Sequence, residues 1–373
     1  MSRFAKSRSV FFFEEPEYYE GEPTLNISPR NDGLRVVTPY LPTDYPTQLQ
    51  EEVLQQLLEQ FLANTTITDF VAWYYTPMAV TWTQHLRPSV IIYDCMDELS
   101  LFRHAPPVLV DREEQLLHIA DLVFTGGASL HEAKQKRRSD VHLFPSSIDV
   151  AHFYPARTPK SDPSDQQGIP HPRLGFFGVI DERMDTQLLE DIATVRPDWH
   201  IVMIGPVVKI DPHQLPRRAN IHYLGQKSYA ELPAYIAGWD IALMPFALNE
   251  STRFISPTKT PEYMAAGRPI VSTPIRDVVR PYGEAELVHI ADTPERFIES
   301  IEMILAETPE ARKSWLYRVD GFLSTTSWDR TWHNMARLIA ETRSSNKSRQ
   351  IDTSSTHSHH IHDAETLGAT PSV

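Results

Sequence analysis

The stretch Ser256-Pro-Thr-Lys-Thr-Pro-Glu-Tyr-Met-Ala-Ala-Gly-Arg-Pro-Ile-Val-Ser-Thr gathers residues suited to a phosphorylated ligand. A loop carrying Ser256 enters a helix predicted over 259–266. Its start is marked by Thr258 or Thr260 as a cap and by Pro261 in the first turn. Gly267 closes it. A helix start offers free amides and the positive end of a dipole, and Lys259 adds a mobile cation. Together these make a diphosphate site. Glu262, one turn in, presents a carboxylate that can accept hydrogen bonds from a ribose diol. The bland alternative is that Glu262 only complements the dipole and Lys259 is solvated. The residues alone leave the two readings even.

A second candidate is Gly175-Phe-Phe-Gly-Val-Ile-Asp-Glu-Arg-Met-Asp, a strand running into a turn. Gly178 permits close approach of a ligand, and Arg183 can pair with a diphosphate in bidentate fashion. Arg183 could instead pair with Asp181 or Glu182 as an ordinary surface residue. The residues alone leave both readings open. In Asp94-Cys95-Met96-Asp97-Glu98, three acids cluster after a buried strand. Asp94, Asp97 and Glu98 either orient an acceptor hydroxyl and take its proton, with Asp97 as the catalytic candidate, or serve as loop acids and caps. Cys95 reads as a small buried hydrophobe. Tyr223-Leu-Gly225-Gln226-Lys227 ends another strand and taken alone is a plain turn.

Alternating strands and helices must position these groups. In the first half, strands are predicted over 9–14, 34–37, 69–74, 89–93, 121–124 and 141–144, with helices over 46–63, 112–119 and 129–138, and another starting at Pro77. Residues 156–172 are polar and Pro-rich, a linker composition. The alternation then restarts, with strands over 174–179, 200–204, 220–224, 240–245, 269–272 and 287–290 and helices over 184–194, 229–237 and 294–305. Such apolar strand–helix units imply parallel sheets covered on both faces, in two Rossmann-like doubly wound α/β domains. The expected divisions are 1–160, 161–325, a terminal helix over 326–343 that crosses back to the first domain, and a disordered tail over 344–373. The histidines of that tail, His357, His359, His360 and His362, read as part of it rather than as a metal site. Met1 to Ala5 reads as the end of a helix and residues 9–14 as the second strand of its domain. The first domain is therefore expected to lack its opening strand, and an extension of roughly 20–30 residues would supply it. Without that extension, poor solubility and activity are expected, with nucleotide binding retained.

The bulk composition narrows the class. The chain has 373 residues, a formal net charge of −14 and one cysteine. Acidity disfavours non-specific nucleic-acid binding. A lone cysteine excludes an intrachain disulfide and fits a cytoplasmic setting. The short apolar run near the N-terminus, followed by acids, is not a signal peptide.

From about Tyr93 to Trp332, and most specifically in Pro257-Thr-Lys and Glu262-Tyr-Met-Ala-Ala-Gly-Arg-Pro-Ile-Val, the sequence resembles glycosyltransferase family 4, also called group 1, of the GT-B fold and of bacterial polysaccharide synthesis. The resemblance implies two Rossmann-like domains facing across a cleft and a nucleotide-diphosphate sugar as co-substrate, with no cofactor. It implies retaining, metal-independent hexosyl transfer to a polysaccharide or lipid-linked glycan, and leaves room for peripheral association with the inner membrane face. Glu262 would hold the ribose. Gly178, Ser256 and Thr258 would line the donor site, Arg183 and Lys259 would face the leaving diphosphate, and Gly225 and Gln226 would lie against the nucleobase. The family commonly carries a second Glu eight positions before the first. Here that position is Phe254, with Glu250 the nearest upstream acid. The rival readings are a sugar-nucleotide epimerase of the same fold, for which no convincing acid–base pair stands out, and a non-catalytic carbohydrate- or nucleotide-binding scaffold.

Overall fold

Short runs of β-branched and aromatic residues between turn formers set the strands of this chain. The computed structural model describes residues 1–30, 32–158 and 161–362. Contacts group the chain into two units. The first takes Met1–Asp94, Val108–Val123 and the described chain from Trp332 on; the second takes Cys95–Pro107 and Phe124–Thr331.

The chain opens with β1 (Val10–Phe13), β2 (Glu17–Tyr19), β3 (Thr24–Pro29) and β4 (Leu34–Pro42). β4 pairs in parallel with β1 and then β2, from Val10 opposite Leu34 to Tyr19 opposite Pro42. β3 pairs antiparallel to β4, with Thr24 opposite Tyr40. This departs from the all-parallel expectation. β3 is mostly exposed, with only Leu25 and Ser28 half-buried, so it carries no continuous apolar run for the sequence to show. Helix Thr47–Thr65 covers this sheet with Leu54, Leu57, Leu58 and Phe61, spaced for one helical face. The Phe61 ring meets Phe11 and Phe13 edge-on at 4.9 and 5.3 Å.

β5 (Val71–Tyr74), β6 (Val90–Cys95), β7 (Leu122–Thr125) and β8 (Val141–Leu143) form a second sheet in the order β5-β6-β7-β8. The terminal helix spans Trp328–His362 and does not stop at 343. The tail expected to be disordered from 344 thus continues as helix to 362. Within it, Asn346 donates to the Ser89 carbonyl and to Asp121, both at 3.1 Å. Arg343 pairs with Asp69. Polar anchors of this kind leave no apolar periodicity to read. The side chains of His357, His359, His360 and His362, and residues 363–373, lie outside what the structure describes. Among the described residues no helix is long and apolar enough to cross a membrane.

The third sheet is all parallel, in the order β11-β10-β9-β12-β13-β14. Its strands are β9 (Arg173–Phe177), β10 (His200–Ile204), β11 (Ile221–Tyr223), β12 (Ile241–Met244), β13 (Ile270–Ser272) and β14 (His289–Ile290). The order reverses at β9, whose neighbours β10 and β12 lie on opposite sides, so the loops leaving their carboxyl ends diverge and open a crevice. Helix Pro309–Leu323, absent from the sequence reading, starts at Thr308, whose hydroxyl accepts from the Ala311 amide at 3.2 Å.

The stretch read as a linker is instead bolted to this second unit by its polar groups. Gln166 is fully buried. It accepts from Trp239 Nε1 and donates to the Tyr235 carbonyl, both at 3.0 Å. Asp162 pairs with buried Arg173 at 2.7 Å. Asp165 pairs with Lys227 at 2.6 Å. A polar composition carries no sign of whether such groups face water or one another.

Candidate active site

β9 ends at Phe177, and its chain turns at Gly178, where φ is +141°. That conformation is open to glycine and strained for other residues. Gly178 donates to the Ile204 carbonyl at 2.8 Å, tying the turn to the end of β10. Gly205 follows with φ +144°, and a Cβ there would come within 1.8 Å of the Gly178 oxygen. Two glycines at adjacent strand ends thus let the two turns touch.

Helix Lys259–Ala265 leads back to β13 and sits against the end of β9. Tyr263 is fully buried and its hydroxyl accepts from the Phe177 amide at 2.9 Å. This bond fixes the helix relative to the Gly178 turn. Lys259 then lies directly over the turn. A Cβ on Gly178 would meet Lys259 Cε at 2.2 Å and Nζ at 2.6 Å. The ammonium also stands 5.6 Å from the centre of the Phe176 ring. Burial holds the Lys259 ammonium below its ordinary pKa. The Glu262 carboxylate and Asp181 act against that shift, and Arg183 adds to it. Among the described residues Lys259 makes no ion pair, so its charge is available to an anion.

Glu262 is three residues further along the same helix. Burial pushes its carboxyl up to about 7, and Lys259 moderates the rise. Near neutrality it therefore exists in both forms, and a ligand that donates hydrogen bonds to it would favour the ionised one. Tyr229, half exposed, stacks on His152 with ring centroids 4.0 Å apart. Its phenol is pushed up to about 12, first by burial and then by the charge of Glu262.

Arg183 is held by Asp181. Its Nε and Nη2 donate to that carboxylate at 3.0 and 2.6 Å, and its own amide donates at 3.0 Å. Asp181 is buried, so the guanidinium is fixed from behind, with its pKa raised by this pairing. The bland pairing foreseen for Arg183 is present, yet Nη1 has no hydrogen-bond partner among the described residues. The guanidinium lies 5.6 Å from the Phe102 ring. Burial raises the Asp97 carboxyl, and Arg183 lowers it again. The second unit therefore gathers Gly178, Asp181, Arg183, Lys259 and Glu262 into one mutually interacting set, with Asp97 facing Arg183.

Other sequence candidates stand differently. Thr258 precedes the helix but makes no side-chain cap. The Thr260 hydroxyl, fully buried, donates to Met244 Sδ at 3.4 Å and caps nothing either. The helix start is fixed by Tyr263 instead. Ser256 is half-buried just ahead of it. Gly225 has φ +69° and its carbonyl accepts from the Gly205 amide at 2.9 Å; Gln226 is exposed. Lys227 is committed to Asp165. Glu98 is committed to Lys134, a fully buried lysine, at 2.7 Å and also accepts from Ser100. That carboxylate neutralises a buried ammonium, a demand no local pattern announces. Asp94 belongs to the first unit. It is buried, accepts from Trp73 Nε1 at 3.1 Å, and is pushed up to about 6 by burial, moderated by that hydrogen bond and by the amino terminus. Cys95 is buried, as expected. Tyr263 and Tyr229 were not singled out in the sequence, and Asp181 was named there only as the surface partner of Arg183, not as part of the site.

Residues 171–307 match the family model of the group 1 glycosyl transferases. The chain is 26% identical over 292 residues to a protein of Bacillus subtilis (strain 168) named as the teichuronic acid biosynthesis glycosyltransferase TuaH, covering 73% of this chain and 68% of that protein. Among solved structures, sucrose-phosphate synthase from Thermosynechococcus elongatus matches with a TM-score of 0.68 at 16% identity, over 92% of this chain and 91% of that one. Anabaena HepE, solved in complex with UDP, matches with a TM-score of 0.64 at 15% identity, over 83% and 86%. At these identities the structural likeness is one of fold.

Proposed function

We propose that this glycosyltransferase of the GT-B fold, whose residues 171–307 form a group 1 domain, moves a hexose from a nucleoside-diphosphate donor to a hydroxyl of a polysaccharide or lipid-linked glycan. The observation that carries this reading is the Lys259 ammonium lying on the Gly178 turn with Arg183 and Glu262 in the same electrostatic set. A diphosphate over the turn replaces the water that burial has taken from Lys259. The ribose hydroxyls then donate to Glu262, the acceptor that the nearby cation keeps partly ionised at neutral pH.

Breaking the sugar–phosphate bond leaves negative charge on the departing diphosphate. Lys259 and the open side of Arg183 oppose that charge without reorganising, because Tyr263 and Asp181 already hold them in place. Two fixed cations make a divalent metal unnecessary in this reading, and the family resemblance supports retention of configuration. Asp97 is the acceptor-side acid of the reading. HepE was solved with UDP, and TuaH is named for teichuronic acid biosynthesis. UDP-sugars are therefore the first donors to test. The test is thermal stabilisation by UDP, GDP, ADP and their sugars, since a ligand of the native state raises Tm. One nucleotide series should stabilise wild type and fail with Lys259→Met. Equal behaviour of wild type and variant toward every nucleotide would refute the site.

A further inference from the structure

Two cations of the second unit share one aromatic ring. Phe102 belongs to this unit, in the segment Cys95–Pro107, and is half-buried. The Arg183 guanidinium stands 5.6 Å from the centre of its ring and the Lys209 ammonium 5.4 Å. Both distances lie within reach of a cation–π attraction. The two cations arrive from adjoining loops. Ile180 donates to the Pro206 carbonyl, and its own carbonyl accepts from the Val208 amide, both at 3.0 Å. The stretch before Arg183 is thereby laced to the stretch before Lys209. The Lys209 carbonyl in turn accepts from Arg103 Nη1 at 3.4 Å, beside Phe102 in the chain.

The ring is itself held in place. The Glu98 carboxylate pairs with buried Lys134 at 2.7 Å, and the Glu98 carbonyl accepts from the Leu101 amide at 3.0 Å. The Phe102 amide donates to the Leu99 carbonyl at 3.3 Å, and the Phe102 carbonyl accepts from the Ala105 amide at 3.0 Å. The pair that takes Glu98 out of acceptor chemistry therefore anchors the short helix Leu99–Leu101 that leads into Phe102.

Arg183 needs a restraint on this side. Asp181 holds Nε and Nη2 and leaves Nη1 open. Asp97 is near enough to help raise the Arg183 pKa, yet no ion pair joins the two among the described residues. Contact with an aromatic face spends none of the N–H groups of a guanidinium, so it can fix the group and leave Nη1 free to donate. We propose that Phe102 is a positioning residue for Arg183, holding its guanidinium off Asp97 with Nη1 turned to the donor diphosphate. The inference rests on the diphosphate role given to Arg183 above.

Calorimetric titration of the full chain with UDP, GDP and ADP tests it. Phe102→Leu should weaken binding of the preferred diphosphate about tenfold. Phe102→Tyr, which keeps the aromatic face, should bind as wild type does. In an Arg183→Ala background the Phe102→Leu change should cost less than about twofold, since the cation it positions is gone. Thermal denaturation checks that each variant folds, and Phe102→Met takes the place of leucine if that variant does not. Unchanged affinity in Phe102→Leu beside a weakened Arg183→Ala would overturn the inference and leave the donor site standing. Equal losses in both backgrounds, or no recovery with tyrosine, would also overturn it, because the ring would then act by packing alone. Wild-type affinity in Arg183→Ala, or no diphosphate bound by wild type, would instead refute the donor-site reading and this inference with it.

Discussion

Donor binding should be coupled to proton release at Glu262. Burial places this carboxyl at about 7, against 4.5 for a free glutamate side chain. A ribose diol that donates to it binds the ionised form, so the complex must shed whatever proton the free protein carries. With a pKa near 7, the free protein carries about half a proton on Glu262 at pH 7 and about 0.9 at pH 6. Donor affinity should accordingly fall about tenfold from pH 8 to pH 6. Stability should show the matching sign. The folded state holds this proton more tightly than the unfolded chain, so the contribution of Glu262 is favourable below the ordinary carboxylate range and is lost as pH rises through about 7. Calorimetric titration with a nucleoside diphosphate sugar, in buffers of differing ionisation enthalpy at pH 6, 7 and 8, counts the protons. Both phosphates of such a donor are esters that do not titrate in this range, so the protons come from the protein. Glu262→Gln should bind more weakly and release none. A pH-independent wild-type affinity, or the same proton count in Glu262→Gln, would refute the reasoning.

Gly178→Ala should lower donor affinity at least about tenfold while circular dichroism stays that of wild type, since the added Cβ displaces Lys259 Cε, 2.2 Å from its position; unchanged affinity would disprove the contact. Alanine at Lys259 or Arg183 should each reduce kcat by about 10²-fold, and transfer should survive EDTA, which a strict Mg²⁺ or Mn²⁺ requirement would contradict. Asp181→Asn should keep the fold but raise KM for donor less than it lowers kcat, because Arg183 loses its brace rather than its charge; steady-state kinetics with varied donor separate the two. Gln166→Ala should destabilise the second unit by about 2–4 kcal/mol by stranding Trp239 Nε1 and the Tyr235 carbonyl. Urea denaturation measures it, and a neutral result would return the stretch around Gln166 to the role of a linker.

Apart from helix Pro309–Leu323, strand and helix order in the second unit was legible from the chain because it rests on local patterns. Apolar runs such as residues 174–177 and 201–204 suit strands buried on both faces, and Gly178, Lys259 and Glu262 stand at spacings whose chemistry is local to one turn and one helix. Polar pairings over long separations were not legible. Glu98 reads as either an acceptor-side acid or a loop acid until Lys134, 36 residues away, is seen buried against it. Residues 156–172 read as a linker until Gln166 is found bonded to Trp239, 73 residues on. Asp94 and Asp97 differ by three positions in sequence, yet one is sealed beside Trp73 and the other faces Arg183. The sequence by itself determined which groups carry charge, which turns need glycine and which segments bury apolar faces, because covalent identity and periodicity decide these. Only the tertiary structure decided which charges are spent on one another and which, like Lys259, remain for a ligand, because pairing and desolvation depend on residues that the chain brings together only when folded.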